Sequence, residues 1–299
     1  MMQIEYRILS NDIDNADLYN PTIDEYSCGS ESCVYKVPSE NNLIHIWKEL
    51  RKAKKRFNLI LPKVPERHME KFLVLLDKLK DAGDNYSLTC NDLGIMYAAK
   101  KADVLPEDVR IGRGISRSFG ECLWSEHILR SELQENKEMI LQNNIYDDNK
   151  KKILDFYGVK EIECNQLKSL EKSYEYLKKM NYKVAVHYGY TTIAFSRACQ
   201  TAKYFEINTG KCDKCCETPI YIDMKKIWTR NVELDNSEKD INDKLEKYNP
   251  AFYLIGNTLL RNSELNINLR NVDKLIFDSR FYKSFDVVKI VKEIKSEKD

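Results

Sequence analysis

The chain has 299 residues, enough to bury a substantial core as one large domain or two small ones. Its 48 Lys+Arg against 47 Asp+Glu leave a net charge of +1, which argues against a general nucleic-acid binder held by a basic surface. No apolar run of about eighteen residues is present to span a bilayer, and Met1–Ser10 lacks the basic-then-apolar order of a signal peptide, so a cytoplasmic protein is expected.

In chain order, Ile4–Leu9 and Asp24–Cys28 read as short strands, with the Gly/Ser loop 29–32 delivering Cys33. Leu43–Phe57 reads as a helix whose basic run, from Lys48 to Arg56, is a solvated face while Ile44, Trp47 and Leu50 pack inward. Asn58–Leu61 is a strand stopped by Pro62, and Glu66–Asp81 an amphipathic helix ended by Gly83. The alternation repeats with strands Tyr86–Cys90 and Val109–Gly112 around the helix Leu93–Lys101, then a polar helix between Ser125 and Asn143. Val159–Cys164, the helix Leu167–Met180 and Tyr182–His187 follow, and the cysteine loop of residues 187–217 issues from the last of these strands. Pro219–Asp223, Ala251–Ile255 and Lys274–Asp278 read as further strands, and Val287–Lys295 as a closing helix. The charged stretch 231–249 reads as an exposed insertion rather than a boundary. This βα punctuation predicts a single (β/α) TIM-barrel-like domain over 1–299, irregular at its ends, with function at the strand C-termini.

Nine cysteines, an odd number in a chain expected to meet a reducing compartment, fit metal binding and core thiols better than disulfides. Cys199, Cys212, Cys215 and Cys216 crowd into one segment, at spacings that let thiolates fold a loop around a soft metal. Adjacent side chains diverge, so Cys215 and Cys216 do not both serve one relaxed tetrahedral centre, and Cys28 or Cys33 must supply a further ligand. Four thiolates hold zinc as readily as an iron-sulfur cluster, but the wide gap between Cys199 and Cys212 lacks the paired knuckles of a zinc ribbon. Cys28 with Cys199, Cys212 and Cys215 is the rival ligand set. Cys90, Cys122 and Cys164 stand alone among apolar neighbours and read as buried thiols.

Among other polar residues, His187 ends a strand, where it is either an acid-base group titrating near neutrality or a hydrogen-bonded core histidine, with no Asp or Glu near in sequence to orient it. Ser196 lacks a GxSxG elbow and reads as a cap. Asp92 reads as a helix N-cap. Gly112-Arg113-Gly114 lacks the third glycine of a nucleotide loop, but Arg113 lies beyond a strand end, where it can meet a carboxylate. Arg113 and His187 are therefore the substrate-binding candidates.

Several of these pieces together resemble one family. Tyr188-Gly189 followed by Ala194, Phe195, Ser196 and Cys199, the later block Cys212, Cys215, Cys216, the Gly29 to Cys33 spacing and the Asn91-Asp92-Leu93-Gly94 element are similar to the collagenase-like peptidase family U-32, most closely to its UbiV-like iron-sulfur branch, active in oxygen-independent ubiquinone biosynthesis. The likeness runs in patches from about residue 25 to 220, and Arg197 stands one place earlier than the family's arginine. The resemblance implies a barrel carrying a 4Fe-4S cluster on Cys33, Cys199, Cys212 and Cys216, with Cys215 spare. It further implies oxygen-independent hydroxylation of an aromatic or nucleobase substrate, with a homologous partner as heterodimer and an electron donor. A metal-stabilised non-catalytic subunit and a collagenase-like peptidase are the alternatives, and zinc is the alternative metal.

Overall fold

Short strands whose side chains alternate between two environments close into a barrel in this computed structural model, which describes residues 2–8, 17–83, 86–122, 125–145, 147–196, 198–207, 212, 216–222, 252–263 and 267–296. In order come β1 (Gln3–Arg7), β2 (Glu25–Gly29), α1 (Glu40–Lys52), β3 (Arg56–Leu61), α2 (Met69–Ala82) and β4 (Tyr86–Cys90). Next are α3 (Leu93–Lys101), β5 (Asp108–Ile111), α4 (Ser125–Ile128), α5 (Gln134–Leu141), α6 (Asp148–Phe156) and β6 (Val159–Asn165). The chain continues through α7 (Glu171–Lys179), β7 (Lys183–His187), β8 (Tyr190–Phe195), α8 (Gln200–Tyr204) and β9 (Ile220–Ile222). It ends with β10 (Phe252–Ile255), β11 (Thr258–Asn262), β12 (Lys274–Asp278) and a helix over Ser284–Ser296.

Eight of these strands form the closed barrel, in the order β1-β12-β7-β6-β5-β4-β3-β2, every neighbouring pair parallel. The barrel expected from the βα alternation is thus present. What the alternation did not give is a second sheet, β8-β11-β10-β9, antiparallel and inserted between the seventh and eighth barrel strands. The segment after His187 is therefore not a simple loop: it turns at Gly189, with φ +80°, and re-enters as β8. The expected helix from Ser125 to Asn143 is broken into α4 and α5, and the one expected to reach Phe57 stops at Lys52, because Phe57 is a buried β3 residue. The stretch 231–249 lies outside the described residues.

The outer face of the strands makes the apolar core. Tyr26, Leu59, Leu88, Ile111, Ile162, Val186 and Leu275 point to helices that answer with Leu43, Ile46 and Leu50 of α1 and Leu75, Leu76 and Leu79 of α2, all buried. Such residues, three or four apart on each helix, make one continuous apolar stripe, each side chain contributing roughly 1.5–3 kcal/mol by leaving water.

The barrel interior is different, since parallel strands covered by helices are usually apolar on both faces and barrel interiors are usually filled by branched aliphatics. Here Glu5 and Arg7, Glu25 and Ser27, Ser87 and Thr89, Arg110, Glu161 and Glu163, and Lys274 are all buried. Arg110 pairs with both oxygens of Glu25, and Lys274 lies 2.9 Å from Glu161, 3.3 Å from Glu25 and 3.5 Å from Glu5. The barrel is thus plugged by ion pairs, with charge balance doing inside what packing does outside.

Candidate metal centre at the barrel mouth

One tight turn gathers the cysteine-bearing segments. Gly256 and Asn257 join β10 to β11, and Gly256 takes φ +65°, which glycine reaches without a Cβ penalty. The Gly256 N–H donates to the Thr201 hydroxyl at 2.8 Å and its carbonyl accepts from the Thr201 N–H at 3.0 Å, fixing the start of α8 just after Cys199. Asn257 donates from Nδ2 to the carbonyls of Ser32 at 2.6 Å and Ser196 at 2.9 Å, and accepts from the Ser32 hydroxyl at 2.6 Å. A Cβ on Gly256 would lie 3.4 Å from Cys216 Sγ. The loops carrying Cys33, Cys199 and Cys216 thus meet on a two-residue turn.

Cys33, Cys199, Cys212 and Cys216 all line one cavity of about 800 Å³ at the C-terminal mouth of β2, β3 and β4. Cys216 is buried, Cys33 and Cys199 half-buried, and Cys212 exposed. Burial pushes the Cys33 thiol up, partly opposed by the Tyr35 backbone N–H and by Lys36. Lys36 itself donates to the Cys216 carbonyl at 3.2 Å. Cys199 caps α8, its sulfur accepting from the Ala202 N–H at 3.4 Å. Behind this loop Gly29, at φ +117°, runs so close to β3 that a Cβ would fall 2.2 Å from the Ile60 carbonyl oxygen.

These donors suit a soft metal centre. Two thiolates on one zinc stand about 3.8 Å apart when each bond is about 2.3 Å and the angles are tetrahedral. Among the described residues no three of these sulfurs lie within 4.8 Å of one another. Cys28 does not share the cavity: it lies in the apolar core on the outer face of β2, where burial raises its pKa well above the ordinary value. Cys215 and Arg197 lie outside the described residues.

The two substrate-binding candidates meet in a single buried network. Arg113 donates to both oxygens of Glu31, at 3.0 and 2.7 Å, and also to Asn165 Oδ1 and the Tyr190 carbonyl. His187 places Nε2 3.0 Å from Glu163 and 3.6 Å from Glu31, while Arg7 binds Glu163 at 2.6 Å and Glu31 at 3.3 Å. The orienting carboxylate that sequence proximity did not offer His187 therefore arrives from β6. Burial, with Arg113 and Arg7 alongside, pulls the His187 pKa down to about 4, so the ring is neutral at physiological pH. Burial alone would raise Glu31, but Arg113 and His187 hold it at about 2.

Ligand atoms of Glu31, Glu163 and His187 lie within 4.8 Å of one another, a donor set that divalent cations use. Both carboxylates already carry guanidinium groups, so a dication there would add charge to a set that is balanced without it. Glu31 stands two residues before Cys33, and the network's evident action is to hold that loop.

Other candidates take the roles expected of them. Asp92 caps α3, accepting from the Gly94 N–H at 2.6 Å, and also accepts from the Val64 N–H at 3.0 Å. Ser196 accepts from the Ala198 N–H and from Gln200 Nε2. Gly112 and Gly114 make room for Asn91, whose Oδ1 would stand 2.3 Å from a Cβ on Gly112 and which accepts from the Gly114 N–H at 2.7 Å. Cys90 and Cys164 are buried, and Cys122 is half-buried. The residues that sequence reasoning missed are Glu31, Glu163 and Asn257. For Asn257 a signal was present, a Gly-Asn pair between two apolar runs, which is a hairpin pattern.

Fold and site together define a parallel (β/α) barrel with a cysteine-lined cavity at its mouth. No family model matches the chain, and no curated protein matches it. Among solved structures it is similar to the U32 peptidase Mk0906, at 11% identity over 93% of this chain and 92% of that chain, with a TM-score of 0.39. Among the described residues no helix is long and apolar enough to cross a membrane.

Proposed function

We propose that this chain is an iron-sulfur protein of the peptidase U-32 type, related to the UbiV-like branch, in which Cys33, Cys199, Cys212 and Cys216 hold a 4Fe-4S cluster. The observation that carries the reading is the cavity itself, where four cysteines from segments up to about 180 residues apart line one space at the functional end of a barrel. The resemblance, with the wide gap between Cys199 and Cys212 that lacks the paired knuckles of a zinc ribbon, favours a cluster over zinc. When bound, such a cluster supplies electron transfer without O2. The chain's own residues shape the site: Asn257 and Gly256 fix the cysteine loops, and Arg113 with Glu31 braces the loop before Cys33.

The role that follows is to act in, or support, oxygen-independent hydroxylation of an aromatic or nucleobase substrate in the cytoplasm, alongside a homologous partner and an electron donor. The sequence resemblance supplies this finer part of the reading. A fully cysteine-ligated cluster leaves no open iron, so its work is electron transfer or structure rather than direct substrate activation. The test is iron, zinc and acid-labile sulfide on protein purified without oxygen, with its visible spectrum. About four irons and four sulfides per chain are expected, and one zinc without sulfide overturns the cluster.

A further inference from the structure

The cavity beside the cysteines is larger than a metal centre needs. At about 800 Å³ it falls in the range that holds a small-molecule ligand, roughly 300–1,000 Å³. Its walls are largely apolar away from the sulfurs, with Val34 and Val64 buried and Tyr35 and Phe195 supplying rings. The Phe195 ring is itself steadied by the Arg117 guanidinium, 5.5 Å from its centroid.

Among the described residues four charged side chains line the same space, and their partners divide them cleanly. Both carboxylates are spent: Glu31 on Arg113 and Arg7, and Asp92 on the backbone N–H groups of Gly94 and Val64. Both cations are free of acids, since Lys63 and Arg67 have no carboxylate partner among the described residues and Arg67 contacts only the His68 ring nitrogen, at 3.3 Å. Lys63 lies between Pro62 and Pro65, anchored through the Val64 N–H to Asp92, and Arg67 lies in the short 3-10 helix Glu66–His68 that follows. Among the described residues the cavity therefore offers an incoming molecule apolar walls and two positive groups without a carboxylate partner at its edge.

We infer that this cavity binds a small molecule with an apolar, ring-containing body and one anionic group, a carboxylate or a phosphate, held by Lys63 and Arg67. The assignment deepens the proposed function, because the ligand would lie against the cysteine centre, but the binding contacts themselves need no metal. A competing use of the two cations is to offset the negative charge of a thiolate-bound cluster. The two uses are separated by what loss of both cations does to iron content.

The test uses the full chain, anaerobically purified, with three naphthalene probes of one shape: 2-naphthoate, 2-naphthyl phosphate and the neutral 2-naphthamide, followed by their fluorescence. At least one anion is expected to bind about tenfold or more tightly than the amide, the effect of a charge-assisted contact, and the better of the two identifies the anionic group. In a Lys63→Ala/Arg67→Ala variant that preference is expected to vanish, with iron content, visible spectrum and thermal unfolding unchanged. Equal binding of amide and anions, no binding of any probe, or anion binding untouched by the double substitution overturns the proposal. A variant that loses iron instead assigns the cations to the cluster and likewise overturns it. Discrimination retained in iron-free wild-type protein counts against the cluster reading alone, whereas iron present without discrimination counts against this inference alone.

Discussion

Asn257 holds Ser32 twice, accepting from its hydroxyl at 2.6 Å and donating to its backbone carbonyl at 2.6 Å, across 225 residues of sequence. The same amide group donates to Ser196, so one side chain ties the Cys33 loop to the Cys199 loop. Backbone bonds from Gly256 to Thr201 make the second tie. The site is thus assembled by the inserted sheet, whereas the barrel contributes the platform.

Replacing Asn257 by alanine should therefore loosen the proposed metal site before it unfolds the protein. Loss of three hydrogen bonds at a half-buried position should cost about 1–3 kcal/mol, and loss of an outer support of the ligands should weaken metal binding about 10–100-fold. Metal content against chelator concentration, compared with the urea midpoint of the same variant, separates the two effects. An Asn257→Ala protein with unchanged metal affinity would show that the turn does not brace the cysteine loops.

The barrel was legible because βα punctuation survives in a single sequence: β4, α3 and β12 fall where apolar runs and turn residues place them. The polar plug was not, although Glu5-x-Arg7 and Glu161-x-Glu163 alternate within strands, because period two does not say which face turns inward. The cysteine crowding at 199–216 was visible, and so was β10, read as Ala251–Ile255, but its partner β11 was not, so the turn that gathers the cysteine loops went unread. His187 had no visible partner because Glu163 is 24 residues away and reaches it only when β6 and β7 pair.

Two neighbouring carboxylates of the plug are held differently. Glu5, Glu25, Glu31, Glu161 and Glu163 face Arg7, Arg110, Arg113 and Lys274. Burial raises the pKa of Glu5, against Arg7 and Lys274, whereas Glu25 is held well below the usual range by Arg110 and Lys274 despite its burial. Burial thus works toward the neutral form of Glu5, whereas Glu25 is kept charged, so Glu5→Gln should cost the less of the two in stability. Glu25→Gln should cost about 3 kcal/mol, the low end for a broken buried pair, because Lys274 keeps Glu5 and Glu161 as partners when Glu25 is lost. The double substitution should exceed the sum of the two. Equal costs for the single variants in urea unfolding would refute this division.

His187 sets a pH dependence whose sign follows from its depressed pKa. The unfolded chain takes up a proton near pH 6.5 that the folded protein refuses until about pH 4. Within that window the unfolded state binds more protons, so stability is full above pH 6.5 and falls on acidification toward pH 4. A shift of this size corresponds to about 3 kcal/mol. Glu163, held low by Arg7 and His187 although burial opposes it, adds a loss of the same sign below the usual carboxylate range. His187→Gln should flatten the slope between about 4 and 6.5 in urea midpoints measured across that window. An unchanged slope would place the titrating group elsewhere.

The cysteine assignments separate by what serine can and cannot replace. At Cys199 a serine keeps the helix cap, since its oxygen can accept the Ala202 N–H as the sulfur does, yet it is a far poorer ligand for a soft metal. If the proposed centre is bound, Cys199→Ser and Cys216→Ser should therefore lose the metal, and for Cys199 the loss will not trace to a missing cap. Cys164→Ser should keep it, because Ser116 and Asn143 can hold a hydroxyl where they now contact the sulfur. Cys28→Ser is the sharpest control: a hydroxyl in the apolar face of β2 should lower stability, by about 1–3 kcal/mol for an unpaired buried group, while metal content stays at the wild-type level. Iron and sulfide per folded chain read all four variants at once. Metal lost with Cys28 and retained with Cys216 would move the centre to the other cysteine set.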